Sequence, residues 1–534
     1  MSEPRAFLAV DLGTATTAVA LVGRIDGRWR LLGSVSVPSS VPDEAASAVL
    51  LDRIRAADPL VATEIGLPDV ISGLPRLVAR TARPPRIAVL AATERALAPL
   101  AAAAERAGWD VTGVSATGTD PLAASRLMLR RDVRAVLVGA GEPPGADERA
   151  TIPDLAAAVA AAAARRPELA VVLAGALAER PGALDGLSSE RPGGIILAPG
   201  AAAGSPPGTA LASLLDDLRA APDDGRRLTI RTASALAHVL ERRVEVVEIG
   251  ASAGLRVSAV IEGAGNDVRV VASQSASGAL VPGKVDDTLV EGVLVWSTLA
   301  LDRHRLRDRL RELEIAPWGE AHGEGALFRL AAARAALARL VAATSATHGS
   351  IVPDVVVVAG GAWAAAPGSA VALAVSDVIR RPGAMQLAFD HARLLGPLGA
   401  IPDEEERRLI LRDIVDDALA PLGSVVLPSG LRAGRSAGRL VVHAGGGTSE
   451  LDLVPGGLEL VDLPPGETAI AEFRFRDPVL LGARGRHFAL DITGGLGGLL
   501  IDLRDVPLRL PDRHERRREL LESWQRSLWA GIDA

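Results

Sequence analysis

A chain of 534 residues is too long for one hydrophobic core and implies three or four domains of roughly 100–200 residues each. With 49% hydrophobic residues it can bury sizeable cores and reads as globular, while a net charge of −7 and a pI near 5.8 supply no clustered cations for nucleic-acid phosphates. The lack of cysteine excludes disulfides, Cys-ligated zinc, iron–sulfur clusters and thiol catalysis.

In chain order, "MSEPRAF" lacks the basic start and apolar stretch of a secretory leader, so the cytoplasm is the expected location. Residues 6–12, 17–23 and 30–37 read as three strands, and Asp43 to Ala57 as a helix with Val49, Leu50 and Ile54 on one stripe. Between residues 60 and 200, apolar runs at 87–91, 111–114, 135–138 and 170–173 alternate with Ala-rich helices at 96–107 and 154–165. That alternation predicts a mainly parallel sheet covered on both faces. The Pro/Gly-rich run Glu190 to Gly208 marks a boundary or exposed loop. Further strands are expected from Val244 to Val260, then helices at 297–313 and 326–344. Val355 to Val375 has no charge and the length of a bilayer span, but its leading valines and its glycines favour strand, turn and helix. Asp403 and the acidic residues after it cap another helix. From about 430 short alternating strands predominate: in Ala469 to Arg476, Ala469, Ala471, Phe473 and Phe475 share one face. A helix from Asp512 then carries Leu520, Leu521, Trp524 and Leu528 at burial spacing. The single lysine, Lys284, and the eight histidines read as ordinary surface or core residues, none of the histidines having metal-ligand spacing.

Two segments carry chemistry. "FLAVDLGTATTAVALV", Phe7 to Val22, and its weaker echo "VEVVEIGASAGLRVSAV", Val244 to Val260, each give a strand, a terminal carboxylate (Asp11, Glu248), a turn of Gly and small hydroxylated residues, and a second strand. Such turns suit phosphate, because backbone N–H groups converge where side chains are small and hydroxyls add donors. A carboxylate beside the turn suits Mg²⁺ held through water. A third segment, "DVVVVAGGAWAAAPG", Asp354 to Gly368, places Gly360 and Gly361 after a strand.

These three turns, in this order, resemble the duplicated core of the actin, sugar kinase and Hsp70 ATPase superfamily. Within it, "DLGTATTAVAL", "PDVVVVAGGA", "VRAVLVGAGEPPG", "LAVVLAGAL" and "DALAPLGSVVLPSG" look like the L component associated with adenosylcobalamin-dependent glutamate mutase, over residues 5–430. The resemblance implies an α/β fold: a duplicated ribonuclease H-like, actin-like ATPase core of two lobes with an α/β insertion and a small C-terminal β-domain. The expected boundaries are 1–235 for the first lobe with its insertion at about 60–205, 236–428 for the second lobe, and 429–534 for a β-sandwich or barrel with its terminal helix. It also implies ATP and Mg²⁺ as ligands, with Asp11 orienting metal and water and Glu248 opposite it. Gly13, Thr14, Thr16 and Thr17 would hold phosphates, Gly250, Ser252 and Gly254 would close from the second lobe, and Gly360 and Gly361 would admit the adenosine. The implied role is an assembly or reactivation factor for another enzyme, a cobalamin-dependent mutase by family precedent.

The chain departs from the family pattern in two places. The second turn, Glu248 to Leu255, lacks the usual threonines and trailing Asp, and Ala18 stands where a Lys is usual. Lost hydroxyl donors cost about 0.5–1.5 kcal/mol each. Weak or absent hydrolysis is therefore expected, with cationic service to phosphate falling to Mg²⁺ and backbone dipoles. A non-catalytic binding or scaffold protein that keeps the fold is the alternative reading, and a small-molecule kinase the second. The expected partner is a protein, bound through the C-terminal β-domain, or a second copy of the chain; neither nucleic acid nor membrane is expected.

Overall fold

The computed structural model describes residues 5–67, 73–116, 121–140, 144–178, 192–201, 209–219, 221–262, 267–283, 285–319, 322–348, 352–432 and 434–529. The chain divides into two compact units, one of Met1–Ala82, Asp223–Ala272 and Ser277–Ala534, the other of Arg83–Pro222 with Ser273–Ala276. The elements below are those of the described residues.

The first unit opens with an antiparallel meander, β1 (Ala6–Leu12), β2 (Thr16–Ile25) and β3 (Arg28–Pro38), then α1 (Asp43–Ala57), α2 (Pro59–Glu64) and β4 (Arg76–Arg80). β4 lies parallel to β1, giving the order β3-β2-β1-β4. The period-two pattern splits the side chains between two cores. Leu8, Val10, Val19 and Leu21 pack with Leu50, Leu51 and Ile54 of α1, while Phe7, Ala9, Ala20 and Val22 face the other way. Val49, expected on the buried stripe of α1, is 46% exposed, and Leu51 fills that place.

The second unit is the α/β insertion. It comprises β5 (Arg86–Ala91), α3 (Glu94–Arg106), β6 (Asp110–Ser115), α4 (Pro121–Met128), β7 (Val133–Gly139), α5 (Ala146–Arg165), β8 (Ala170–Ala174), β9 (Ile195–Ala198) and α6 (Thr209–Arg219). All its strand pairs are parallel, in the order β6-β5-β7-β8-β9. The central strands are buried on both faces, which is why their sequences are apolar without alternation. Where the sequence suggested about 60–205, the unit spans 83–222, because α2 and β4 stay with the first lobe. Of the run from Glu190 to Gly208, residues 195–198 form a strand; 190–191 and 202–208 lie outside the described residues, as does Lys284.

Back in the first unit, α7 (Gly225–Leu240) leads into β10 (Val244–Ile249), β11 (Gly254–Ile261) and β12 (Val268–Ser275). There follow α8 (Asp287–Leu294), α9 (Arg303–Ile315), α10 (Gly323–His348), β13 (Val355–Ala359), a 3₁₀ turn at Gly361–Trp363, α11 (Gly368–Val378) and β14 (Gly383–Asp390). The order β12-β11-β10-β13-β14, with β10, β13 and β14 parallel, repeats β3-β2-β1-β4 and adds a fifth strand. Two meanders, each with a parallel strand beside its first strand, make the duplicated ribonuclease H-like core of an actin-like, two-lobe fold. The uncharged run from Val355 is strand, turn and helix, and no helix among the described residues is long and apolar enough to cross a membrane.

Next come α12 (Leu395–Leu398), α13 (Glu404–Ala418), whose N-terminus Asp403 caps by accepting from the Glu406 N–H, and β15 (Leu419–Leu427). The C-terminal strands are β16 (Gly438–Ala444), β17 (Gly447–Leu453), β18 (Leu458–Val461), β19 (Thr468–Leu481), β20 (Ala483–Thr493) and β21 (Leu499–Asp502), followed by α14 (His514–Trp529). They do not form a self-contained β-domain from residue 429. β17-β16-β19-β20 is a sheet of its own, but β21 pairs parallel to β15 and β18 pairs with β21, extending the second lobe's sheet to eight strands. The four-stranded sheet packs Leu440, Phe473 and Phe475 onto Val426, Leu499 and Ile501 of that extension. On the opposite face Leu521, Trp524 and Leu528 of α14 join the second lobe's core. A buried ionic network pins the junction. Asp502 accepts from Ser376 Oγ at 2.5 Å, Arg380 Nη1 at 2.7 Å and Arg504 Nη2 at 2.6 Å, and Asp377 pairs with Arg334 and Arg504. Arg504 also lies over the Trp524 ring, 4.3 Å from its centroid.

Candidate nucleotide cleft

The site is assembled from strand ends. β1 and β10 each stop at a carboxylate, and the chain then turns sharply: the Gly13 N–H donates to the Thr16 carbonyl at 3.0 Å and the Gly250 N–H to the Ala253 carbonyl at 2.9 Å. The second turn is tied down further, its Gly250 and Ala251 carbonyls accepting from the N–H groups of Leu280 and Val281. The third turn leaves β13 at Gly360, whose φ is +92° and whose missing Cβ would lie 2.3 Å from the Ile249 carbonyl oxygen. Only glycine fits that combination of left-handed backbone and close approach. The three turns line one open cleft of about 480 Å³, together with Asp11, Thr14, Thr16, Thr81, Glu248, Ser252 and two arginines.

Of the residues singled out in the sequence, Asp11, Gly13, Thr14, Thr16, Glu248, Gly250, Ser252, Gly360 and Gly361 line the cleft. Thr14 Oγ1 donates to Ser252 Oγ at 3.0 Å, so the two phosphate-type turns touch through their hydroxyls. Two residues do not belong. Thr17, one step along β2 from Thr16, points to the other face of the sheet and is 4% exposed. Gly254 is needed for packing, since a Cβ there would meet the Gly278 carbonyl oxygen at 2.7 Å.

Three further residues complete the cleft. Asp390 ends β14 as Asp11 and Glu248 end their strands; its carboxylate accepts from the N–H groups of Leu394 at 2.9 Å and Leu395 at 3.2 Å. This holds the turn from which Arg393 projects, at φ +54°. Arg393 Nη1 donates to Thr16 Oγ1 at 2.6 Å and lies 3.7 Å from Asp11 Oδ2. The guanidinium also needs Gly361: a Cβ at that position would be 2.5 Å from Arg393 Nη2. Arg329 of α10 is 7% exposed and spends its donors on carbonyls, those of Gly361, Ala362, Pro317 and Gly319. It clamps the third turn without a carboxylate partner among the described residues, so its charge stays available to the cleft. The sequence reading assigned positive charge to Mg²⁺ and backbone dipoles alone; two guanidinium groups share that service here. A strand-terminal carboxylate in "LAFDHAR", the signature that marked Asp11 and Glu248, was a signal for Asp390. Nothing local distinguishes Arg329 or Arg393 from the chain's many other arginines.

The electrostatics follow from crowding three carboxylates into one cleft. Burial pushes Asp11 up to about 6, Arg393 opposing and Asp390 reinforcing the shift. Burial also pushes Glu248 up to about 8, helped by the negative charges of Asp11 and Asp390. Asp390 is raised by burial too, against its two backbone hydrogen bonds. Asp11 has only the Arg393 ion pair at 3.7 Å among the described residues, and both its carboxylate and that of Glu248 line the cleft. An added cation is what such a set lacks. No group of three or more ligating side chains among the described residues is placed to grip a metal directly. The donors therefore suit a hydrated Mg²⁺ held by Asp11 through water and by a ligand's phosphate oxygens.

Comparison with protein-family models and with curated proteins finds no match. Among solved structures the chain is similar to nucleotide-free acetone carboxylase, described for ATP-dependent acetone carboxylation (12% identity, 74% of this chain and 69% of that chain, TM-score 0.28). It is similar also to component A of (R)-2-hydroxyglutaryl-CoA dehydratase from Acidaminococcus fermentans (10%, 75% and 98%, TM-score 0.27). A third is xylulose kinase from Rhodospirillum rubrum (14%, 74% and 89%, TM-score 0.24). At such scores the assignment of the two-lobe actin-like fold rests on the chain's own strand order and pairing senses.

Proposed function

We propose that the chain is a nucleotide-binding protein with weak or absent hydrolysis, acting as an assembly or reactivation factor for another enzyme. The observation that carries this reading is the convergence of three glycine-bearing turns on a cleft with three carboxylates and two guanidinium groups. Asp11 would orient hydrated Mg²⁺, whose chemistry is to neutralise phosphate charge. Gly13, Thr14 and Thr16 would hold phosphate oxygens from one lobe, and Gly250 and Ser252 from the other. Gly360 and Gly361 line the cleft at the third turn, beside which the ribose or adenine would lie.

The weak-hydrolysis half of the reading has its own support. In the second turn Ala251, Ala253 and Leu255 offer no side-chain hydrogen-bond donor to a phosphate, which leaves Ser252 as the turn's hydroxyl. For the partner, the resemblance to the glutamate mutase L component supports a cobalamin-dependent mutase as the first to try. Calorimetric titration with ATP and Mg²⁺, alongside phosphate release, tests the function. Weak binding that Asp11→Ala abolishes, without steady turnover, is expected. No binding under any condition would sink the nucleotide reading; micromolar affinity with steady turnover would sink the pseudo-ATPase one.

A further inference from the structure

Arg393 is held from two sides. Its backbone is set by the Asp390 carboxylate, which caps the next two N–H groups, and its guanidinium passes over Gly361 to reach the first turn. Once there it is only partly committed. Nη1 donates to Thr16, but the Asp11 contact at 3.7 Å is an ion pair too long for a hydrogen bond. Nη2 and Nε have no protein hydrogen bond among the described residues. A guanidinium offers five donors in a planar fork, so most of its capacity remains for an oxyanion. Asp11, for its part, has Arg393 as its one ion-pair partner among the described residues, and it directly precedes the first phosphate-type turn.

We propose that Arg393 is an exchangeable counter-cation: it pairs with Asp11 until a phosphoryl group takes its guanidinium, which releases Asp11 to hold hydrated Mg²⁺. This rests on the nucleotide-binding reading of the cleft. Metal and nucleotide are then coupled through one side chain. Each ligand removes the group that competes for the other, and by linkage each raises the other's affinity by the same factor. Without nucleotide, a divalent cation must displace Arg393 from Asp11 and binds poorly. With nucleotide, that competition is gone. Arg393 on this view is a positioning residue toward the metal and a binding residue toward phosphate.

The test measures divalent cation affinity on the full-length chain, by Mn²⁺ paramagnetic resonance, without nucleotide and then with saturating ADP. Wild type should bind Mn²⁺ weakly alone and more tightly with ADP, by a factor in the usual coupling range of about 5–150. Arg393→Gln should bind Mn²⁺ alone roughly tenfold more tightly than wild type, and ADP, still contributing phosphate oxygens to the metal, should raise its affinity by a smaller factor than in wild type; Asp11→Ala in the same background should erase the gain. Gly361→Ala keeps the charge but pushes the guanidinium aside, and should shift Mn²⁺ affinity in the same direction should Arg393→Gln fold poorly. Equal or weaker Mn²⁺ binding by both variants would overturn the exchange even if nucleotide binds. Failure of wild type to bind ADP would instead overturn the reading of the cleft and the coupling with it, while the metal-alone comparison still reports whether Arg393 guards Asp11.

Discussion

Replacing Glu248 by glutamine should flatten the pH dependence of stability, and the size of the effect follows from the cleft. The carboxylate is raised from 4.5 to about 8 by burial and by Asp11 and Asp390. The folded chain thus holds a proton that the unfolded chain has already lost above 4.5. Between those two values the unfolded state binds fewer protons, so stability is greatest below 4.5 and declines as pH rises toward 8. At about 1.36 kcal/mol per pH unit the full displacement is worth roughly 4–5 kcal/mol. Because Glu248 borders the open cleft, about half of that, ~2 kcal/mol, is the expected swing. Glutamine preserves the shape and cannot ionise. Melting midpoints of wild type and Glu248→Gln, followed by fluorescence at pH 5, 6, 7 and 8.5, should diverge by about 2–4 °C in the variant's favour as pH rises. Asp11 and Asp390 shift in the same sense in both proteins and cancel from the difference. Parallel curves across this range would refute the placement of an uncompensated carboxylate at position 248.

Gly360→Ala should lower stability by about 2–5 kcal/mol, since it combines a left-handed backbone with a contact 2.3 Å from the Ile249 carbonyl oxygen; an unchanged melting point would contradict that geometry. Asp502→Ala should cost about 3–5 kcal/mol in urea denaturation, because it takes the carboxylate from the buried guanidinium of Arg380 and leaves that of Arg504 with Asp377 alone, and a loss under about 1 kcal/mol would mean that the network braces nothing. Asp502 is held below the usual carboxylate range by those arginines, so its contribution should be present above about pH 4 and fade as pH falls further. Truncation after Pro428 should give an insoluble or protease-sensitive product, because it removes β18, β21 and α14 from the second lobe; a soluble fragment with a sharp melting transition would show that the lobe is complete without them.

The sequence by itself determined what depends on neighbours along the chain. Strand periodicity, the Asp403 cap, the α1 boundaries and the carboxylate–turn–strand signature at Asp11 and Glu248 are local, and their duplication carried the two-lobe fold. Tertiary structure alone decided which local features meet. Thr16 and Thr17 have equal claim in the sequence, but the pleat of β2 turns one into the cleft and the other into a core. β21 reads as one more short strand after residue 430. It joins β15 because that strand presents an edge with free backbone groups, and an unpaired edge is satisfied by whatever strand arrives. Arg393 is separated from Thr16 by 377 positions, so no spacing rule links them. Its role emerges only when Asp390 sets its turn, Gly361 clears its path and Asp11 needs a cation, three conditions that folding brings to one place.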